Sequence, residues 1–231
     1  MSQALWQPAW VQNNTVELAM SAFRMVETQY IAATMRLVDS ANEQALLEQM
    51  LDDSKPPMPL LPSVHYLLAA PFRYLPTIGS RFRSANMPGL WYGAADAYCA
   101  CAEIAYWRQK FLLDSAGLLN QHLATEHSMY EAAVSGRAID LTAEPWRQAA
   151  AAWTHTSDYA ETQKLGQLVR ESNSVAWIHY ASARATGHTC AAVFDPLSLT
   201  MVTKDSRYEQ WYCHTTKDSV TLSNGVVRFD F

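Results

Sequence analysis

Residues 97–107 read Ala-Tyr-Cys-Ala-Cys-Ala-Glu-Ile-Ala-Tyr-Trp, with one charge among them, Glu103. The run falls in a stretch, 95–109, that reads as helix, and a helix that is apolar all round has to be enclosed. The chain must therefore build a core thick enough to cover it. With 231 residues, 49% hydrophobic and only 17% charged, it has the material for one large domain, or one domain plus an extension, and it is not a disordered chain. Cys99, Ala100, Tyr106 and Trp107 lie three or four positions from Glu103 and share its face. A carboxylate in that setting is costly unless a cation or strong donors meet it. Two readings stand: a buried Glu–Arg pair that holds the core together, or a catalytic carboxylate at the floor of a pocket.

A cation source lies just upstream. Residues 71–83, Pro-Phe-Arg-Tyr-Leu-Pro-Thr-Ile-Gly-Ser-Arg-Phe-Arg, set Arg73, Arg81 and Arg83 among aromatics. Arginine presents a planar fork that suits phosphate or carboxylate and stacks on rings; the plainer reading is a solvated surface loop. The cluster stands out because the chain is acidic overall, 17 Lys+Arg against 22 Asp+Glu. That balance argues against direct nucleic-acid binding, which needs a basic face. Eight Trp and eleven Tyr serve either as core filler or as platforms for a flat ligand.

Other chemistries are missing from the sequence. There is no glycine-rich dinucleotide fingerprint, no phosphate loop and no nucleophile elbow. Cys99, Cys101, Cys190 and Cys213 lack zinc or thioredoxin spacing, and their scarcity fits a reducing compartment. His122 and His127 flank Glu126 at the wrong spacing for two ligands on one helical turn, so no metal site is expected. The first residues show no signal peptide, and the uncharged run near 56–72 holds five of the ten prolines, which excludes a membrane helix. A soluble, cytoplasmic chain is expected.

Along the chain, Val16, Ala19, Phe23, Val26, Tyr30, Leu37 and Val38 recur mostly at three- and four-residue steps, which predicts helix over 15–53, with a second helix from Asn42 to Leu51. The Pro-rich span 56–62 acts as a stiff connector. Residues 1–62 thus form a helical extension, packed on its own domain or on a partner, and 63–231 the main domain. Strands are predicted at 65–68, 89–92 and 174–180, helices at 95–109, 143–152 and 158–171, the last with Ser157 as cap and Glu161 in its first turns. Two or three more strands are expected in 189–231, with Asn224-Gly225 as a hairpin turn. The irregular interleaving points to an α+β fold.

Arg81, Tyr92 eleven residues on and Glu103 eleven further resemble the signature of the RES domain family. Phe72-Arg73-Tyr74, Gly79-Ser80-Arg81-Phe82, Leu90-Trp91-Tyr92-Gly93 and Ala102-Glu103 resemble its surrounding words, and 178–184, Ile-His-Tyr-Ala-Ser-Ala-Arg, resembles the strand carrying its serine, here Ser182. Where the family usually shows Thr-Ala-x-x-Glu, this chain has Cys99-Ala100-Cys101-Ala102-Glu103. The core resemblance covers about 65–195. It implies a mixed β core similar to ADP-ribosyltransferases, and a bacterial toxin that cleaves the nicotinamide–ribose bond of NAD by phosphorolysis or hydrolysis. NAD is then substrate, with inorganic phosphate as a candidate co-substrate and no prosthetic group. The implied partner is an Xre-type helix-turn-helix antitoxin, which carries any DNA binding; homo-oligomer formation is left open. The implied site is Arg81 on the pyrophosphate, Arg73 as a second cation, Tyr92 and Tyr74 against nicotinamide or ribose, Glu103 against the developing positive charge, and Ser182 on a ribose or phosphate oxygen. A protein ADP-ribosyltransferase using the same pocket, or a non-catalytic interaction module, are the rival readings.

Overall fold

The computed structural model describes residues 5–28, 37–57, 64–204 and 208–231. Its strands are β1 (Val16–Glu27), β2 (Trp91–Ala94), β3 (Leu123–Asp140), β4 (Trp177–Ala181), β5 (Thr189–Val193), β6 (Leu199–Met201), β7 (Glu209–Thr215), β8 (Val220–Ser223) and β9 (Arg228–Asp230). The longer helices are α1 (Ala41–Asp53), α2 (Ala97–Leu113) and α3 (Ala160–Ser172). The class is α+β, built on one mixed sheet.

β3 is the spine of that sheet. One of its edges pairs antiparallel with the whole of β1, Val16 opposite Ala138 through to Glu27 opposite His127. The other edge pairs in turn with β7, β6 and β4, the last in parallel. β4 continues to β5, β5 to β2, and β2 touches β1 at Phe23 and Ala94. β1, β2, β5, β4 and β3 thus close into a ring of pairings, with β7, β8 and β9 continuing from β3. Successive side chains on a strand point to opposite faces, so the ring sorts its residues into two apolar clusters. One holds Ala22, Trp91, Tyr130, Ala132, Val134, Trp177, Ala191 and Val193. The other holds Met25, Ala94, Met129, Ile178, Tyr180, Cys190 and Ala192 together with the buried side of α2.

α2 lies across β1, β2, β7 and β8. Cys99, Cys101, Ala102 and Ala105 are buried beneath it, whereas Tyr98, Trp107 and Phe111 are exposed. The helix is therefore only partly enclosed, and several of its aromatic side chains stay exposed. Asp96 caps its start by accepting from the Cys99 N–H at 2.9 Å. Burial pushes the Asp96 carboxyl up, but that N–H and His188, 2.6 Å away, outweigh it and hold the pKa below the usual range. A folded-state pKa below the unfolded value of about 3.9 means the contribution is present above that pH and is lost as pH falls through the lower folded pKa. Asp96→Ala is expected to cost about 1 kcal/mol at neutral pH, read by urea denaturation, with the gap from the parent closing in acid; no gap at pH 7 would remove the cap from the account.

Several sequence expectations change. Residues 16–27, expected as helix, form β1; Val16, Ala19, Phe23 and Val26 fit a helical spacing, but the segment lies between two apolar clusters as a strand. The segment N-terminal to the prolines therefore supplies a strand to the same sheet as the rest. The second expected helix is α1, with Leu46 and Met50 exposed. Tyr30 and most of the 56–62 connector lie outside the described residues. Residues 65–68, expected as strand, enter a helical turn, Tyr66–Ala69, whose first turn is capped by His65. β3, to which no element was assigned, is rich in alanine, a poor strand former. Among the described residues of 189–231 there are five strands rather than two or three, and Gly225, at φ 86°, makes the expected hairpin turn. Ser157 does not cap α3; Asp158 accepts from the Ala160 N–H instead, at 2.9 Å. Trp6, Trp91, Trp146, Trp153, Trp177 and Trp211 are buried, so most of the tryptophans are core, whereas among the described tyrosines only Tyr130 and Tyr180 are buried.

Candidate active site

On α2, Ala100, Glu103, Ile104 and Trp107 fall at i, i+3, i+4 and i+7, one helical face, and all four line a cavity of about 270 Å³. Phe23, Arg24 and Met25 of β1, Ser80 and Arg81 of the preceding loop, Tyr92 of β2, Tyr180 of β4, Cys190 of β5 and Tyr159 complete the wall. Arg81, Tyr92 and Glu103, spaced by elevens in the sequence, are brought to one cavity.

Glu103 has no ion-pair partner among the described residues, so the structural Glu–Arg pair is not what holds it. Its Oε1 accepts from the Ser182 hydroxyl at 2.9 Å, and the Cys190 thiol points to the same oxygen at 4.0 Å. Ser182 follows the last residue of β4 and is buried. Its own oxygen accepts from the backbone N–H groups of Arg184 and Ala185, at 3.0 and 3.1 Å, so its single hydroxyl proton is directed at the carboxylate. Ser182 does not line the cavity; it stands behind Glu103.

Arg81 is buried, and its Nη1 donates to the carbonyls of Trp153 and His155 at 3.0 and 2.9 Å. Its guanidinium lies 4.9 Å from the Tyr159 ring. No carboxylate pairs with it among the described residues, which leaves a positive charge in the cavity wall. Tyr92 is tied at its hydroxyl to Ser80, at 2.9 Å, and accepts from the Phe82 N–H at 3.2 Å, so it grips the loop on both sides of Arg81. Burial raises its pKa, against smaller opposing effects of those two bonds and the neighbouring arginines. The close seating of that loop has a further cause: a Cβ on Gly166 of α3 would lie 2.0 Å from the Phe82 carbonyl oxygen, so glycine alone lets α3 pack there.

Arg73 and Tyr74 sit elsewhere. They line an adjoining groove, with the Arg73 Nε donating to the Pro56 carbonyl and its guanidinium 6.0 Å from the Tyr74 ring. Trp107, expected on the Glu103 face, joins the site, as do Arg24 and Tyr159, which were not foreseen from sequence. Arg24 reaches it from β1, Trp107 stands at its rim, and Tyr159 is fixed by Arg184, whose Nη2 donates to the Tyr159 hydroxyl at 3.0 Å and whose guanidinium lies 3.3 Å from the Tyr106 ring. The available signal for Arg24 was a cation inside a long apolar run. No group of three or more His, Cys, Asp or Glu side chains that could hold a metal ion occurs among the described residues. Nor, among them, is any helix long and apolar enough to cross a membrane.

The RES domain matches residues 56–213, about two thirds of the chain. The chain belongs to the RES domain family. The resemblance of Arg81, Tyr92 and Glu103 to its signature therefore rests on a match over the whole region that builds most of the cavity. Among solved structures, this RES protein is similar to a chain of the crystal structure of the M. tuberculosis MbcT–MbcA toxin–antitoxin complex. The TM-score is 0.50 at 14% identity, over 93% of this chain and 96% of that one, a likeness of fold. No match was found among curated proteins.

Proposed function

We propose that this RES protein is a toxin-type enzyme that cleaves the nicotinamide–ribose bond of NAD, neutralised by a cognate antitoxin of the Xre helix-turn-helix type. The observation that carries the reading is the pairing of an unneutralised carboxylate, Glu103, with an unneutralised guanidinium, Arg81, in one cavity. Family membership supports it, as does a similar fold in a chain taken from a toxin–antitoxin complex.

Loss of nicotinamide from C1 of ribose passes through an oxocarbenium-like state, with positive charge on the sugar. Glu103, held by the Ser182 hydroxyl, offers a fixed anion to that charge. Arg81 receives the pyrophosphate, its position set by two backbone carbonyls. Tyr92 presents its ring to nicotinamide or ribose while its hydroxyl keeps the Arg81 loop in place. Ser182 acts on Glu103 rather than on the substrate, a change from the role that the family resemblance implied. Ser182→Ala is expected to lower kcat about tenfold, the scale of one hydrogen bond to a charged group, with KM little changed and partial rescue in Ser182→Thr; an unchanged kcat would detach Ser182 from the acid.

Product analysis tests the reaction. Purified protein is incubated with NAD, with and without inorganic phosphate, and the products are identified by mass spectrometry. A phosphorylated ADP-ribose that requires phosphate identifies phosphorolysis, and free ADP-ribose identifies hydrolysis. An ADP-ribosyl adduct on protein identifies transfer, and intact NAD in every arm contradicts the proposal.

A further inference from the structure

Cys190 of β5 lines the cavity that holds Glu103, and its Sγ lies 3.6 Å from the Sγ of Cys99 on α2. Both thiols are free and buried, and Cys99 takes no part in the cavity wall. A small solute in the cavity therefore meets Cys190 first, with Cys99 next to it.

Other bonds hold the two sulfurs in register. The chain leaving β2 donates from the Ala95 N–H to the Thr189 carbonyl at 2.9 Å. One residue on, Asp96, the cap of α2, lies 2.6 Å from His188. These ties fix the start of α2 against the start of β5, beside the thiols. Cys99 precedes Glu103 by four residues on the helix, so the two share a face. Cys190 lies 4.0 Å from the Glu103 Oε1. A change at the sulfurs is thus felt at the acid. Cys101 and Cys213 differ: neither lines this cavity, and the Cys213 Sγ is 3.5 Å from the Thr215 hydroxyl.

The structure assigns to Cys99 and Cys190 an oxidisable dithiol site, whose reactant is a small two-electron oxidant, hydrogen peroxide, and whose product is a disulfide that displaces the helical turn leading to Glu103. The Cys190 sulfur attacks one peroxide oxygen and the O–O bond breaks. The thiol proton passes by way of the Glu103 carboxylate to the leaving hydroxide, giving water and a sulfenic acid. The Cys99 sulfur then attacks the Cys190 sulfur. The S–S bond forms, the S–O bond breaks, and hydroxide leaves with the Cys99 proton as a second water. Both thiols are oxidised and the peroxide is reduced to water.

The hydrogen bond with Cys99, and then burial, push the Cys190 pKa well up, so the thiol persists until oxidant is in excess. A disulfide bond is about 2.05 Å long, so sulfurs now 3.6 Å apart must close by about 1.5 Å, and the first turn of α2 moves with Cys99. The effect on rate rests on the NAD reading of the cavity; formation of the disulfide does not.

The full chain, as parent and as Cys99→Ser, is treated with excess hydrogen peroxide, alkylated in denaturant and digested without reductant, and linked peptides are identified by mass spectrometry. Nicotinamide release is followed in the same preparations before treatment, after it, and after dithiothreitol. The parent is expected to form a Cys99–Cys190 linkage, with Cys101 and Cys213 alkylated. Its release should fall about tenfold or more and return with dithiothreitol, since misplacing a reacting group by about 1 Å costs as much as 10²-fold. Cys99→Ser, at a position outside the cavity wall, should start at the parent's rate, form no linkage and lose less. Absence of the linkage in the parent overturns the site. A linkage with an unchanged rate, or an equal loss in Cys99→Ser, overturns the disulfide as the cause. A linkage in a parent that releases no nicotinamide even when reduced keeps the dithiol site and removes the NAD reading.

Discussion

Replacing Glu103 by glutamine is expected to lower the rate of nicotinamide release by about 10²–10³-fold, the cost of removing one electrostatic stabiliser from a preorganised site. The substitution isolates charge from shape. Glutamine keeps the length of the side chain and an oxygen that can still accept from the Ser182 hydroxyl, now 2.9 Å from Oε1. What it removes is the negative charge that no cation neutralises among the described residues and that faces the sugar as positive charge develops. Steady-state kinetics should place the loss in kcat, since the interaction strengthens only on the way to the transition state. A glutamine variant with the parent's kcat would leave Glu103 as a structural acid.

Arg81→Lys is expected to lower kcat/KM about 10–100-fold, the range for losing one or two hydrogen bonds from a charged group. Nη1 of Arg81 holds the carbonyls of Trp153 and His155 together while the rest of the guanidinium lies near Tyr159. A lysine ammonium is a compact point charge without the rigid fork, so it cannot hold both carbonyls and still present a donor to the pyrophosphate. The residues between Trp153 and Tyr159 should loosen as a result, which hydrogen exchange over that segment would register as faster exchange. A raised KM with faster exchange fits this arrangement; an unchanged kcat/KM would remove Arg81 from the substrate.

The sequence carried the site more clearly than the frame around it. Glu103 and Arg81 were legible as a lone charge in an apolar run and a cation among aromatics, Tyr92 only through the resemblance to the RES signature, and all three line one cavity. β1 was not legible. Its apolar residues serve two clusters, one on each face, so the alternation that marks a half-buried strand is blurred and a helical spacing fits as well. Arg24 was lost with it. β3 escaped for another reason: alanines, a serine and Gly136 fill its middle, and its place in the sheet is decided by partners on both edges rather than by its own preference. Ser182 was found, but only the folded chain puts it behind the carboxylate, because β4 and α2 are distant in sequence. Arg73 and Tyr74 were singled out as part of one site, and the fold sets them in the adjoining groove.

Nicotinamide release from NAD by the purified parent protein, measured beside Glu103→Gln prepared in the same way, tests the central claim most directly. Release by the parent that falls at least a hundredfold in the variant, with both proteins equally folded by circular dichroism, is the predicted result. A folded parent, free of any bound partner, that releases no nicotinamide with or without phosphate would contradict the account.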